Sequence, residues 1–183
     1  MSELTVATRY AKSLIDLAQE QNTLEPIKND MVSFVQTLRA NYQLQAVLRN
    51  PIIAHDKKIK ILDAIFGGKV DKATESFFRI MVNKSRAEIL YATAQEFINQ
   101  YDVLKNIVKA TVVSAAPLSE ANKQTIIDEI KGIAGANVKL TAKVDPSLIG
   151  GFVLTIGDMQ VDTSISGSLA RLKHDFAQRV VNN

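Results

Sequence analysis

The stretch LIGGFVLTIGDMQVDTS, Leu148 to Ser164, holds three of the chain's eight glycines, Gly150, Gly151 and Gly157. A glycine loop that cradles phosphate leads straight into a helix, whose first free N–H groups and positive dipole end face the anion. Gly150-Gly151 leads instead into FVLTI, which alternates as a strand does. Gly157-Asp158 then parts Ile156 from Met159 by two residues, the length of a tight hairpin loop, and MQVDT alternates again. The spacing predicts strand, turn and strand, with no phosphate cradle. Ser164 follows as the N-cap of a final helix whose Ile165, Leu169, Leu172, Phe176 and Val180 form one apolar stripe.

The residues upstream extend this pattern. VKLTAKV alternates, with Val138, Leu140, Ala142 and Val144 on one face and Lys139, Thr141 and Lys143 on the other. NIVKATVVSA, from Asn106, is rich in β-branched residues and suits a strand. Between them, SEANKQTIIDEIKGIAG has a Ser119 N-cap, the apolar stripe Ile126, Ile127, Ile130 and Ile133, and a glycine end. Residues 106–183 therefore read β-α-β-β-α, a small sheet with helices packed on it.

Before Asn106 the period is helical. From Thr5 to Lys105 apolar residues recur every three or four positions, interrupted by Gly67 and Gly68, while six of the eight glycines lie from Gly132 onward. A first helix around Val6 to Gln21 puts Tyr10, Ala11, Leu14, Ile15 and Ala18 on one side. Pro26 suits the first turn of a second helix, which ends near Asn41, and Asn50-Pro51 ends a short third. A fourth spans Lys57 to Phe66 and stops at Gly67-Gly68, a fifth Lys72 to Asn83, and a sixth Ala87 to Lys105. The predicted class is α+β: a six-helix bundle over residues 1–105, then the small domain over 106–183.

The chain has 183 residues, 46% of them hydrophobic, enough to bury a core. No apolar run approaches the roughly 18 residues of a membrane span, and the amino terminus lacks the pattern of a signal or transit peptide, so a soluble location is expected. With no cysteine there is neither a thiolate nucleophile nor a disulfide framework. The net charge of +3 is spread over a mixed surface and says little about partners.

Catalytic and ligand-binding patterns are mostly missing. A nucleotide P-loop would need glycine where Asp63 stands, and Lys69 is followed by Val70 rather than Ser or Thr. His55 and His174 each lack a second histidine at helical spacing, so no metal pair arises. His174-Asp175 and Asp128-Glu129 are sequence neighbours whose side chains diverge on a helix. No catalytic residue, metal or cofactor is expected. For nucleic acid the candidates are Lys57, Lys58 and Lys60, and the Lys139 and Lys143 face; aromatics interleaved with such charges would stack on bases. Phe66, Phe77, Phe78 and Phe97 fall instead on apolar helix faces. A two-domain RNA- or ribosome-binding factor is the alternative this composition leaves open, and its binding should weaken steeply with salt. Tyr10 and Leu14 on the first helix, with Phe77 and Met81 on the fifth, suit either plain core or the walls of a groove that accepts an amphipathic helix.

One resemblance covers nearly the whole chain. DPSLIGGFVLTIGDMQVDTSISGSLARLKHDF, Asp145 to Phe176, resembles the signature of the δ subunit of F-type ATP synthases, relatives of the mitochondrial oligomycin-sensitivity-conferring protein. Its signature positions are Gly150, Gly151, Gly157, Asp162, Ser164 and Gly167. RYAKSLIDLA at Arg9 to Ala18 is similar to that family's first helix. Asn83, Arg86, Ile89 and Phe97 fit the passage from its fifth helix to its sixth, and VSAAPLS at Val113 to Ser119 fits the start of its second domain. Thr163 departs from the glycine usual between Asp162 and Ser164, and Ile165-Ser166 from the basic residue often found before Gly167.

The resemblance implies a non-catalytic stator subunit of a proton- or sodium-translocating enzyme, joining the catalytic head to the peripheral stalk so that the head does not turn with the rotor. It implies that the first domain takes the amino-terminal helix of an α subunit in a groove at Tyr10, Ala11, Leu14, Phe77 and Met81. It further implies that the second domain meets the b subunits. Nucleic acid is not among the implied partners. The membrane is met indirectly, from the cytoplasmic face of a bacterial inner membrane.

Overall fold

The structure, a computed structural model, describes residues 2–134 and 137–181, with the side chains of 133, 134 and 174–181 left undescribed. The chain divides into two compact units, Met1–Asp102 and Val103–Asn183.

Among the described residues the first unit holds α1 (Glu3–Glu20), α2 (Leu24–Ala40), α3 (Tyr42–Arg49), α4 (His55–Phe66), α5 (Lys72–Asn83) and most of α6 (Leu90–Leu104), which ends past the division at Asp102. Their ends follow from local chemistry. Ser2 caps α1 by accepting from the Thr5 amide at 3.3 Å. Asp71 caps α5 by accepting from the Ala73 amide at 2.8 Å. α4 stops where Gly68 takes a φ of +70°, one residue past the C-cap. The expected sixth helix is divided: Ala87–Ile89 form a single 3-10 turn before α6 begins.

The core of this unit is built from one stripe per helix. Ala7, Ala11, Leu14, Ile15 and Ala18 of α1 are buried, as are Ile27, Met31, Phe34, Val35 and Leu38 of α2. At its centre the rings of Phe34, Phe66 and Phe78 meet pairwise, with centroids 4.6 to 5.9 Å apart. Tilted aromatic pairs at such distances add about 0.5–1.5 kcal/mol each beyond the area they bury. Phe97, on α6, is fully buried. These aromatics serve packing and do not stack on bases.

In the second unit, β1 (Ile107–Ser114), α7 (Glu120–Ala134), β2 (Asn137–Val144), β3 (Phe152–Ile156), β4 (Met159–Asp162) and α8 (Ile165–Val181) follow in order. The order is therefore β-α-β-β-β-α, one strand more than the β-α-β-β-α expected, because the Gly157-Asp158 turn makes a hairpin of two strands, β3 and β4, after the two that flank α7. The sheet runs β2-β1-β3-β4. β1 and β2 are parallel, Ile107 opposite Asn137 and Ser114 opposite Val144, as a helical crossover requires. β1 with β3 and β3 with β4 are antiparallel. The alternation read in the sequence sets the register: Ala110 and Val112 pack with Ile126 and Ile130 of α7, flanked by Val138, Leu140, Phe152, Leu154 and Ile156. Lys139, Thr141 and Lys143 are exposed as the alternation predicts, but so are Ala142 and Val144, so the expected apolar face of β2 is covered at Val138 and Leu140 and runs out beyond them. Ile133, His174, Asp175, Phe176 and Val180 lie outside the residues whose side chains are described.

Candidate functional site

Between α1 and α5 lies an open groove of about 500 Å³. Leu17 supplies one apolar wall, Phe77 and Ile80 the other, and Gln21, Lys72 and Ser76 give it polar margins. Ile80 is 53% exposed, unusual for a large aliphatic side chain on a packed helix. At the α1–α2 turn, Thr23 lines the same groove, and its buried hydroxyl oxygen has no hydrogen-bond partner among the described residues. An apolar trough with a spare polar group at one end is shaped for an amphipathic element.

A link to α2 positions the α5 wall. The Asp30 carboxylate accepts from the Asp71 amide and from the Thr74 hydroxyl, both at 2.8 Å. Thr74 is fully buried, so this bond replaces the water its hydroxyl would otherwise hold. On the α1 side, Gln100 of α6 donates from Nε2 to the Thr8 carbonyl at 3.1 Å.

The residues expected at the groove divide between core and surface. Ala11 is 0%, Leu14 2% and Met81 0% exposed, so these three form the packed core of the unit rather than the groove walls. Tyr10 and Phe77 are half-buried, and of the five expected residues Phe77 lines the groove. The open walls lie one helical step around, at Leu17 and Ile80, each three residues past an expected position. The stripe in the sequence is wide enough to supply both core and groove, and periodicity alone does not mark where one ends.

Lys58 also departs from expectation. It is 5% exposed, and its Nζ donates to the Leu48 carbonyl at 2.9 Å, so the Lys57, Lys58, Lys60 run presents no continuous basic face.

In the second unit the signature residues build a corner. Asp162 Oδ1 accepts from the Ser164 amide at 2.8 Å and from its hydroxyl at 2.6 Å, and the same hydroxyl accepts from the Gly167 amide at 3.0 Å as the N-cap of α8. These bonds hold the Asp162 carboxyl below the usual carboxylate range. A Cβ at Gly167 would collide with that carboxylate. Gly151 takes a φ of +75° and its backbone runs against the Thr163 carbonyl. Gly157 takes a φ of +56° while Asp158 does not turn positive, the pattern of a type II′ hairpin. Gly150 does not take a left-handed φ; it is constrained by the Ile165 side chain packed against it. Thr163 fits without strain, its amide and hydroxyl both donating to the Phe152 carbonyl.

This corner presents an uncovered apolar surface. Ile165, Leu169 and Leu172, at helical spacing on α8, are each about half exposed, and Ile149 is 67% exposed at a φ of +65°, rare for a β-branched residue. Among the described residues no group of three or more His, Asp or Glu could hold a metal ion, and no helix is long and apolar enough to cross a membrane.

Comparison with known proteins decides among the readings left open. Residues 6–176 match the family described as ATP synthase delta (OSCP) subunit. The chain belongs to that family. ATP synthase subunit delta of Cytophaga hutchinsonii is 38% identical over the full length of both chains. That of Microcystis aeruginosa is 36% identical over 91% of this chain and 92% of its own. A chain of the cryo-EM structure of the Toxoplasma gondii mitochondrial ATP synthase hexamer, 21% identical, covers 93% of this chain and 97% of its own with a TM-score of 0.69, which shows a shared α+β fold. As a δ (OSCP) subunit of an F-type ATP synthase, the protein is a stator component of the peripheral stalk and not a catalytic subunit. Nothing in these likenesses supports RNA binding.

Proposed function

We propose that the six-helix unit of this δ subunit binds the catalytic head by taking the amphipathic amino-terminal helix of an α subunit into the α1–α5 groove. The observation that carries this is the groove itself: Leu17, Phe77 and Ile80 leave apolar surface uncovered between two helices fixed by their own core. Tyr10 lies on the same helix as Leu17 and extends the docking face, while Ala11, Leu14 and Met81 support it from below. A static link must resist torque without releasing. Buried apolar anchors give the slow dissociation this requires, whereas exposed charge pairs contribute about 0–1 kcal/mol each.

The second unit, in this proposal, meets the ends of the b subunits through the α8 stripe of Ile165, Leu169 and Leu172 beside Ile149. The signature glycines and the Asp162-Ser164 cap act by setting the angle at which α8 leaves the sheet. The protein then sits at the cytoplasmic face of a bacterial inner membrane and reaches the membrane through the complex.

The test is to titrate the isotope-labelled protein with a peptide from the amino terminus of its own organism's α subunit and follow the backbone amides. Saturable changes centred on Leu17, Ser76, Phe77 and Ile80 support the groove. Changes confined to other surfaces, or none, overturn it.

A further inference from the structure

A second cleft in the helical unit shares no lining residue with the groove. It measures about 160 Å³ and lies where the end of α3, the start of α4 and the turn after α5 meet, lined by Arg49, His55, Lys58, Ser85 and Glu88 among others. An ammonium offers three donors, and the buried Lys58 uses one of them, on the Leu48 carbonyl. That bond caps the end of α3 and leaves the other donors without a protein partner among the described residues. Burial lowers the pKa of Lys58, and the nearby Glu88 acts against that shift.

Three further features lie in or next to this lining. Arg49, exposed at its lip, makes no hydrogen bond or ion pair with the described residues. α4 begins here with Ala54 as its N-cap, which has no side chain to accept from the first amides, so those of His55 and Asp56 have no capping partner. Ser85 holds a φ of +58°, and its hydroxyl lies 3.3 Å from His55 Nε2. In the lining Arg49 and Lys58 face one acid, Glu88, while Asp56, whose amide lies at the start of α4, brings a second carboxylate to the first turn beside it.

We propose that this cleft binds a single oxyanion, a carboxylate or a phosphate group, held by Lys58 and Arg49 over the amino terminus of α4. The ligand completes the partners of a buried ammonium and accepts from amides that no side chain serves. The volume limits the choice. Pockets for nucleotides and similar ligands measure about 300–1,000 Å³, so this space admits one anionic group and not a nucleotide. The group can be free inorganic phosphate or the carboxylate of an acidic side chain on a neighbouring subunit. Both present anionic acceptor oxygens to the same donors.

The test is to titrate the full-length labelled protein with sodium phosphate, sodium acetate and sodium chloride at matched ionic strength, following the amides of His55, Asp56 and Ser85. The expected result is saturable shifts with phosphate or acetate and none with chloride. Saturation by acetate alone assigns the cleft to a partner's carboxylate; saturation by phosphate assigns it to the free ion. Arg49→Gln, at an exposed position, should keep the fold and weaken binding about tenfold, the value of one charge-assisted hydrogen bond. Lys58→Met should abolish binding if it folds. Shifts that chloride reproduces, or an affinity unchanged in Arg49→Gln, would overturn the assignment.

Discussion

The Asp30 carboxylate of α2 and the buried Thr74 hydroxyl of α5 lie 2.8 Å apart, and the same oxygen accepts from the Asp71 amide at the start of α5. One side chain thus satisfies a buried hydroxyl and a helix-end amide, and fixes the helix that carries Phe77 and Ile80. Asp30→Ala leaves both donors without their acceptor, an expected loss of about 1.5–3 kcal/mol. Denaturant unfolding of the helical unit should show it. α-peptide affinity should fall as well, because the groove loses a fixed wall.

Within the groove, Ile80→Asp puts a charge on an exposed position and leaves the core untouched. The fold should persist, and peptide affinity should drop by about 2 kcal/mol or more, the range of a binding hot spot. Met81→Ala acts differently: it opens a cavity in the core and should cost about 2–5 kcal/mol of stability. If the two substitutions weaken binding and stability alike, the division between wall and core is wrong.

Tyr101 of α6 donates to Glu25 of α2 at 2.5 Å. Burial first, and then this bond, push the phenol pKa from 10.0 up to about 12. Because the folded value lies above the unfolded one, the stabilisation is complete below pH 10 and is lost as pH rises toward 12. Thermal unfolding of the helical unit should weaken across that window. Tyr101→Phe should be less stable at neutral pH and should lose the extra dependence above pH 10.

In the second unit Gly151 and Gly157, both left-handed, should respond differently. Gly157→Val strains the II′ turn and should disrupt the sheet while the helical unit stays folded. Gly151→Ala meets the same backbone penalty and drives its Cβ into the Thr163 carbonyl, so it should cost more than Gly157→Ala. Calorimetry that resolves the two transitions checks both. An unchanged second transition in Gly157→Val removes the turn from the account.

Much of this was legible from local spacing. The two residues between Ile156 and Met159 identified the hairpin, Ser164 announced α8, and the alternation in VKLTAKV held at Val138 and Leu140 but not at Ala142 and Val144, which are exposed. What sequence could not supply was the boundary of a wide apolar stripe. Leu14 and Leu17 are both leucines on α1, and which one another helix covers is decided by packing. The Asp30–Thr74 bond spans 44 residues and has no local signal. Lys58 reads as surface because a lysine in a run such as Lys57, Lys58, Lys60 nearly always is; the turn that brings Leu48 over it is a tertiary event.

The most direct test of the central claim is calorimetric titration of this δ subunit with its own α amino-terminal peptide at low and high salt. The account predicts tight binding that changes little with salt and has a negative heat-capacity change, the mark of apolar burial in the groove. Absence of binding by a folded sample, or affinity that collapses as salt rises, would contradict it.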